Sequence, residues 1–105
     1  MHYRQGDILI EQIAGLPDDA VEVKERDGRG RIILAYGEAT GHAHAGDGRD
    51  AHYYHSKKTG LFYLVVVNPT PLEHEEHEAI PMKEDIYEVR RHREYTPQEI
   101  RQVVD

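Results

Sequence analysis

The sequence predicts a mainly β domain, a small barrel or a β-sandwich, closed by a short C-terminal helix at about residues 97–104. Three observations carry this. Gly-, Pro- and Asp-rich turn signals recur about every 8–12 residues, the spacing of all-β domains. The segments between them are short and rich in Val, Ile and Tyr. Only the last ten residues, "TPQEIRQVVD", change to a helical pattern.

The elements follow in order. Gly6-Asp7 leads into "ILIEQI", the expected first strand, and "AGLPDD" at 14–19 ends it. In "AVEVKER" the apolar Val21 and Val23 alternate with Glu22 and Lys24, the period of a half-buried strand. "DGRG" at 27–30 is a hairpin signal with "RIILAYG" as its partner strand. "AGDGRD" at 45–50 makes another turn, and "AHYYHS" a short strand. "LFYLVVVN" at 61–68 is the most apolar segment and reads as the central strand, stopped by Pro69 and Pro71. "DIYEVRRHREY" at 85–95 is the last long strand. Both its faces are mixed, which predicts an edge or interface position. In the tail, Thr96 fits an N-cap, Pro97 the first helical position and Glu99 the capping box, with Ile100, Val103 and Val104 on one side. "TPLEHEEHEAI" opens with the same Thr-Pro-x-Glu pattern. Pro81, and the fit of Leu72, Ile80 and Met82 to a sheet edge, favour an extended or irregular segment over a helical turn.

A chain of 105 residues is one domain, residues 1–105. Its core-forming residues are few for its charge, so completion of the core by homo-oligomerisation is expected. Thirteen basic against 20 acidic residues give a formal charge of −7. Nucleic-acid binding depends on Lys and Arg that displace counterions, so neither nucleic acid nor an anionic membrane is an expected partner. There is no Cys, which excludes disulfides and thiolate metal sites. No apolar run approaches the length of a membrane span, and no secretory leader is evident, so a cytoplasmic location is expected.

The distinguishing feature is histidine. Of eight histidines, six lie between positions 42 and 77. His42 and His44 form an H-x-H pair, and in a strand i and i+2 share a face, so both imidazoles can approach one ion. His74 or His77 could add a third ligand, and Glu38, Glu75 or Asp47 a carboxylate. Such a set suits a divalent transition metal, Zn, Fe, Mn, Ni or Cu, with a position open to a small-molecule ligand. "HEEH" at 74–77 is not the metalloprotease H-E-x-x-H, since its second His falls one position early. His52 and His55 face opposite ways in a strand; His2 and His92 read as surface residues. Neither Ser56 nor Thr40 lies in a nucleophile elbow. Gly46-Asp47-Gly48 is too short for a phosphate loop and has no helix after it.

Taken together, "YRQGDILI", "GEATGHAH", "LEHEEHEAI" and "YEVRRHREYTPQEI" resemble an uncharacterised family of small bacterial and phage-borne proteins. That resemblance implies no activity. The H-x-H segment is also similar to the first cupin motif, in which a Gly precedes H-x-H and a Glu follows. The chain departs from it: four residues, not five, separate Gly37 from His42, no Glu follows His44 at the required distance, and the second cupin motif is absent around Pro81. The likeness implies a cupin-like barrel with a metal in its mouth.

The functional expectation is a metal-binding small β domain with His42, His44, His74 and His77 as ligands. An enzyme is conceivable, with the metal as Lewis acid or activator of water or dioxygen. The opposing expectation is a non-catalytic oligomerisation or protein-interaction module whose histidines bind nothing.

Overall fold

The computed structural model describes residues 2–36, 43–74 and 77–91. Its ten strands are β1 (His2–Gln5), β2 (Ile8–Gln12), β3 (Val21–Val23), β4 (Arg31–Tyr36), β5 (Ala43–Asp47), β6 (Ala51–His55), β7 (Phe62–Val66), β8 (Thr70–Leu72), β9 (Ile80–Met82) and β10 (Asp85–Arg91). The described residues contain no helix, and therefore none long and apolar enough to cross a membrane. The expected helix at 97–104 lies outside the described residues.

Six strands form one antiparallel sheet in the order β1-β2-β10-β7-β6-β3. The hairpins β4–β5 and β8–β9 make a second layer. Ala45 and Glu73 join them by exchanging both backbone hydrogen bonds, at 2.9 and 2.8 Å. The strands form no closed barrel among the described residues.

The core lies between the layers and follows from strand alternation. Ile8 and Ile10 of β2, Tyr87 and Val89 of β10, Leu64 and Val66 of β7, and Ala51 and Tyr53 of β6 are buried. The register sets them side by side, with Val89 opposite Ile10, Tyr87 opposite Leu64, and Ala51 opposite Val66. Ile32, Leu34, Leu72 and Met82 close the core from the second layer. Each fully buried aliphatic side chain contributes about 1.5–3 kcal/mol relative to its exposed state.

Two expectations are corrected. "DGRG" does make a turn, in which the Gly30 amide donates to the Asp27 carbonyl at 2.9 Å. It does not join a hairpin, because β3 pairs with β6 and β4 with β5; the turn carries the chain from one layer to the other. β10 is not an edge strand but lies between β2 and β7. Its mixed appearance arises because one face, Tyr87 and Val89, is in the core while Ile86, Glu88 and Arg90 lie half-buried on the outer face. β1, which was not anticipated, pairs with β2 through the Gly6-Asp7 turn and forms one edge of the sheet, with β3 at the other. β7 is internal, as its apolar run predicts.

Candidate functional site

The second layer brings three histidines together. Ala45 pairs with Glu73, so His44 and His74 are cross-strand neighbours on the same face. Their ring centroids are 4.4 Å apart. His77 follows, 4.7 Å from His74 and 6.4 Å from His44. His44 is 1 % exposed, the most deeply buried of the three. A β-bulge in β4 between Ile33 and Ala35 lies opposite it. Bulges commonly re-aim side chains at such places.

The first layer contributes the rest. The turn between β1 and β2 has Gly6 at φ +58°, with no positive φ at Asp7, a pattern that suits a II′ hairpin turn. Gly6 also leaves room for the imidazoles above it. A Cβ there would lie 2.7 Å from His77 Nε2 and 3.4 Å from His44 Cε1. The backbone therefore passes directly beneath the imidazoles and delivers Gln5 and Asp7 on either side of His44.

Hydrogen bonding determines the state of His44. Gln5 is 2 % exposed, and its Nε2 donates to the carbonyls of Leu72 and Glu78, both at 2.9 Å. Its Oε1 is thus the atom 2.7 Å from His44 Nδ1, and a carbonyl oxygen can only accept. His44 Nδ1 therefore carries a proton. Nε2 of the same ring lies 3.1 Å from Asp7 Oδ1. Burial pushes the His44 pKa down; the Asp7 hydrogen bond opposes this, and the neighbouring His74 and His77 add to it. A neutral His44 with its proton on Nδ1 presents a lone pair to a carboxylate oxygen. Flipping the Gln5 amide does not help, since its oxygen would then face two backbone carbonyls. A proton or a cation between Nε2 and Asp7 resolves the conflict. Arg91 supports Asp7 from the other side, with a terminal nitrogen 4.0 Å from Oδ2.

Nothing else in the described residues completes a metal shell: no group of three or more His, Asp or Glu is placed to hold an ion as it stands. Nε2 of His44 and Oδ1 of Asp7 do have the separation of adjacent ligands. Donors about 2.0–2.2 Å from one ion lie roughly 2.8–3.6 Å apart at octahedral or tetrahedral angles. Beside His77 opens a groove of about 380 Å³ bordered by Tyr3, Arg4, Glu78, Ile80 and Pro81.

Of the residues singled out in the sequence, His44, His74 and His77 are brought together. His42, Glu38 and Glu75 lie outside the described residues. Asp47 belongs elsewhere: its carboxylate holds Arg49, at 2.9 and 3.2 Å. His52 pairs instead with Glu22 at 2.9 Å, and the His55 ring packs on Phe62. Ser56 is buried and donates to Asp19 at 2.7 Å, a structural bond. Sequence reasoning missed Gln5, Gly6 and Asp7. Their one local signal is a Gly-Asp turn, which says nothing about what lies above it.

No curated protein and no solved structure matches the chain. One family model does, over residues 4–92, a span that contains the whole His44, His74, His77 and Asp7 cluster. The chain belongs to that family, a domain of unknown function (DUF8820).

Proposed function

We propose that the protein binds a divalent transition metal ion through His44 Nε2 and Asp7, with His74 and His77 swinging in to complete the shell. The observation that supports this most is the lock on His44. Gln5 holds the proton on Nδ1, as outer hydrogen bonds do for metal-binding histidines. That leaves the Nε2 lone pair beside a carboxylate, a pair that either a bound cation or a second ring proton satisfies. Imidazoles with one carboxylate suit Fe, Mn, Ni or Zn, with Cu favoured wherever affinity alone decides. The cupin likeness of the H-x-H segment belongs to this reading. When bound, the ion supplies Lewis acidity or an activated water. The chain's part is to orient His44 through Gln5, to hold Asp7 through Arg91, and to offer a small molecule the groove beside His77.

Elemental analysis of tag-free protein, purified without chelator or added metal, tests this. Near-stoichiometric metal is expected, and both His44→Ala and Asp7→Ala should lower affinity in calorimetric titration by at least ~10-fold. Protein that arrives empty and takes up no metal at neutral pH overturns the reading. The alternative, a homo-oligomeric interaction module, draws on the edge strand β3, where Val21 is 68 % exposed. A metal-free dimer in light scattering would favour it.

A further inference from the structure

The tripeptide Asp-Gly-Arg occurs twice, at 27–29 and 47–49. Both copies are built alike. Asp27 Oδ1 accepts from the Arg29 amide at 3.0 Å, and Asp47 Oδ1 from the Arg49 amide at 2.8 Å. The two turns lie against each other: a Cβ on Gly48 would lie 2.3 Å from the Gly30 carbonyl oxygen, so only glycine permits the approach. The result is a groove of about 570 Å³ bordered by Arg29, Arg31 and Arg49, with Asp47, Thr70 and Glu73. It lies on the opposite face of the β5–β8 layer from His44 and His74, because Asp47 and Glu73 alternate with them along their strands.

We infer that this groove binds a small hydroxylated phosphomonoester, with its phosphate on Arg29, Arg31 and Arg49 and a hydroxyl directed to Glu73. Three guanidinium groups in one groove are unusual on a chain of net charge −7. Their donors are not exhausted. Arg31 gives Asp27 only its Nε, at 2.8 Å, and Arg49 gives Asp47 its Nε and one terminal nitrogen. Among the described residues Arg29 has no ion pair. The Arg49–Asp47 bridge is 88 % exposed on the arginine side and so is weak enough for a phosphate to share or displace. A carboxylate, with two oxygens, is satisfied by one guanidinium fork, whereas a phosphate dianion presents three terminal oxygens, enough for Arg29, for the terminal nitrogens that Arg31 leaves free, and for Arg49 as it shares or leaves Asp47. Glu73 would repel a bare anion but accepts a hydrogen bond from a hydroxyl. The turn amides, already held by the Asp side chains, take no part, so this is not a phosphate loop. The acidity of the chain as a whole disfavours a nucleic-acid backbone.

The test is an amide NMR titration of the full chain, with chelator present so that the histidine cluster is silent, using ribose 5-phosphate, inorganic phosphate and ribose. Ribose 5-phosphate should bind best, with shifts at residues 27–31, 47–49 and 73. Arg29→Gln with Arg49→Gln should weaken it at least ~10-fold, the scale of lost bonds to a charged group. Glu73→Gln should narrow the preference over inorganic phosphate. Both arginines are exposed, so the double variant should keep the wild-type thermal unfolding curve. No saturable binding at millimolar ligand overturns the inference. So does binding that the double variant leaves intact, or shifts confined to residues 5–7, 44 and 77.

Discussion

His44 Nε2 and Asp7 Oδ1 lie 3.1 Å apart although 37 positions separate them in the chain. The contact joins the β1–β2 turn of one layer to β5 of the other, and Gln5, two residues before Asp7, sets the proton on the opposite ring nitrogen. Two residues of one tight turn thus set the tautomer of a buried histidine and the carboxylate that it faces.

Gln5 should therefore matter to both stability and affinity. Gln5→Ala strands the Leu72 and Glu78 carbonyls and frees the His44 ring to change tautomer. A loss of about 1–3 kcal/mol is expected in urea unfolding, with a ~10-fold or greater drop in metal affinity. Unchanged stability would mean that water replaces the amide without cost.

Gly6→Ala should be costly where Gly15→Ala is not. At Gly6 the added methyl meets His77 Nε2 and the φ of +58° disfavours any L side chain, at a cost of at least about 1–2 kcal/mol. At Gly15 nothing lies within 4 Å and φ is not positive, so the change should stay within about 0.5 kcal/mol. Thermal unfolding of the two variants side by side distinguishes site strain from a general glycine effect.

Tyr53→Phe tests the bulge. The Tyr53 hydroxyl donates to the Leu34 carbonyl at 3.0 Å, and Leu34 is the residue at which the β4–β5 register shifts. Removing the donor leaves a buried carbonyl without that bond, at about 1–3 kcal/mol. Equal denaturation midpoints for the two proteins would show that the bulge holds without it.

Acid stability should depend on Asp19. Its carboxylate accepts from Ser56 Oγ at 2.7 Å and from the Lys58 amide at 3.0 Å. The Ser56 bond, then the Lys58 amide, draw its pKa below the ordinary aspartate value of 3.8. A group whose folded pKa lies below its unfolded value contributes stability above the unfolded value. That contribution is lost as pH falls through the folded pKa. Denaturant midpoints should therefore fall as pH is lowered below about 3.8, and less steeply in Asp19→Asn. Parallel acid limbs would remove Asp19 from the account.

Local periodicity determined much of this protein. Val21 and Val23 were legible from alternation, "LFYLVV" from its apolar run, and "AHYYH" and the strand from Asp85 from their place between turn signals, all of them local features that need no partner. The histidine cluster was legible as composition, and His44, His74 and His77 do meet. Pairing was not legible. The "DGRG" turn suits a hairpin equally well as a crossing between layers, and the choice rests on whether β3 gains more from β6 than from β4. β10 looked like an edge strand because Glu88 and Arg90 lie on a sheet face that alternation alone cannot assign to core or solvent. The polar partners of His44 were legible least of all. Gln5 and Asp7 carry no local mark, and they reach the imidazole only when two layers close over a shared core. Side-chain periodicity is a property of the backbone's own geometry; register, layer packing and the hydrogen bonds of a buried ring depend on residues far apart in sequence, and only the tertiary structure brings those together.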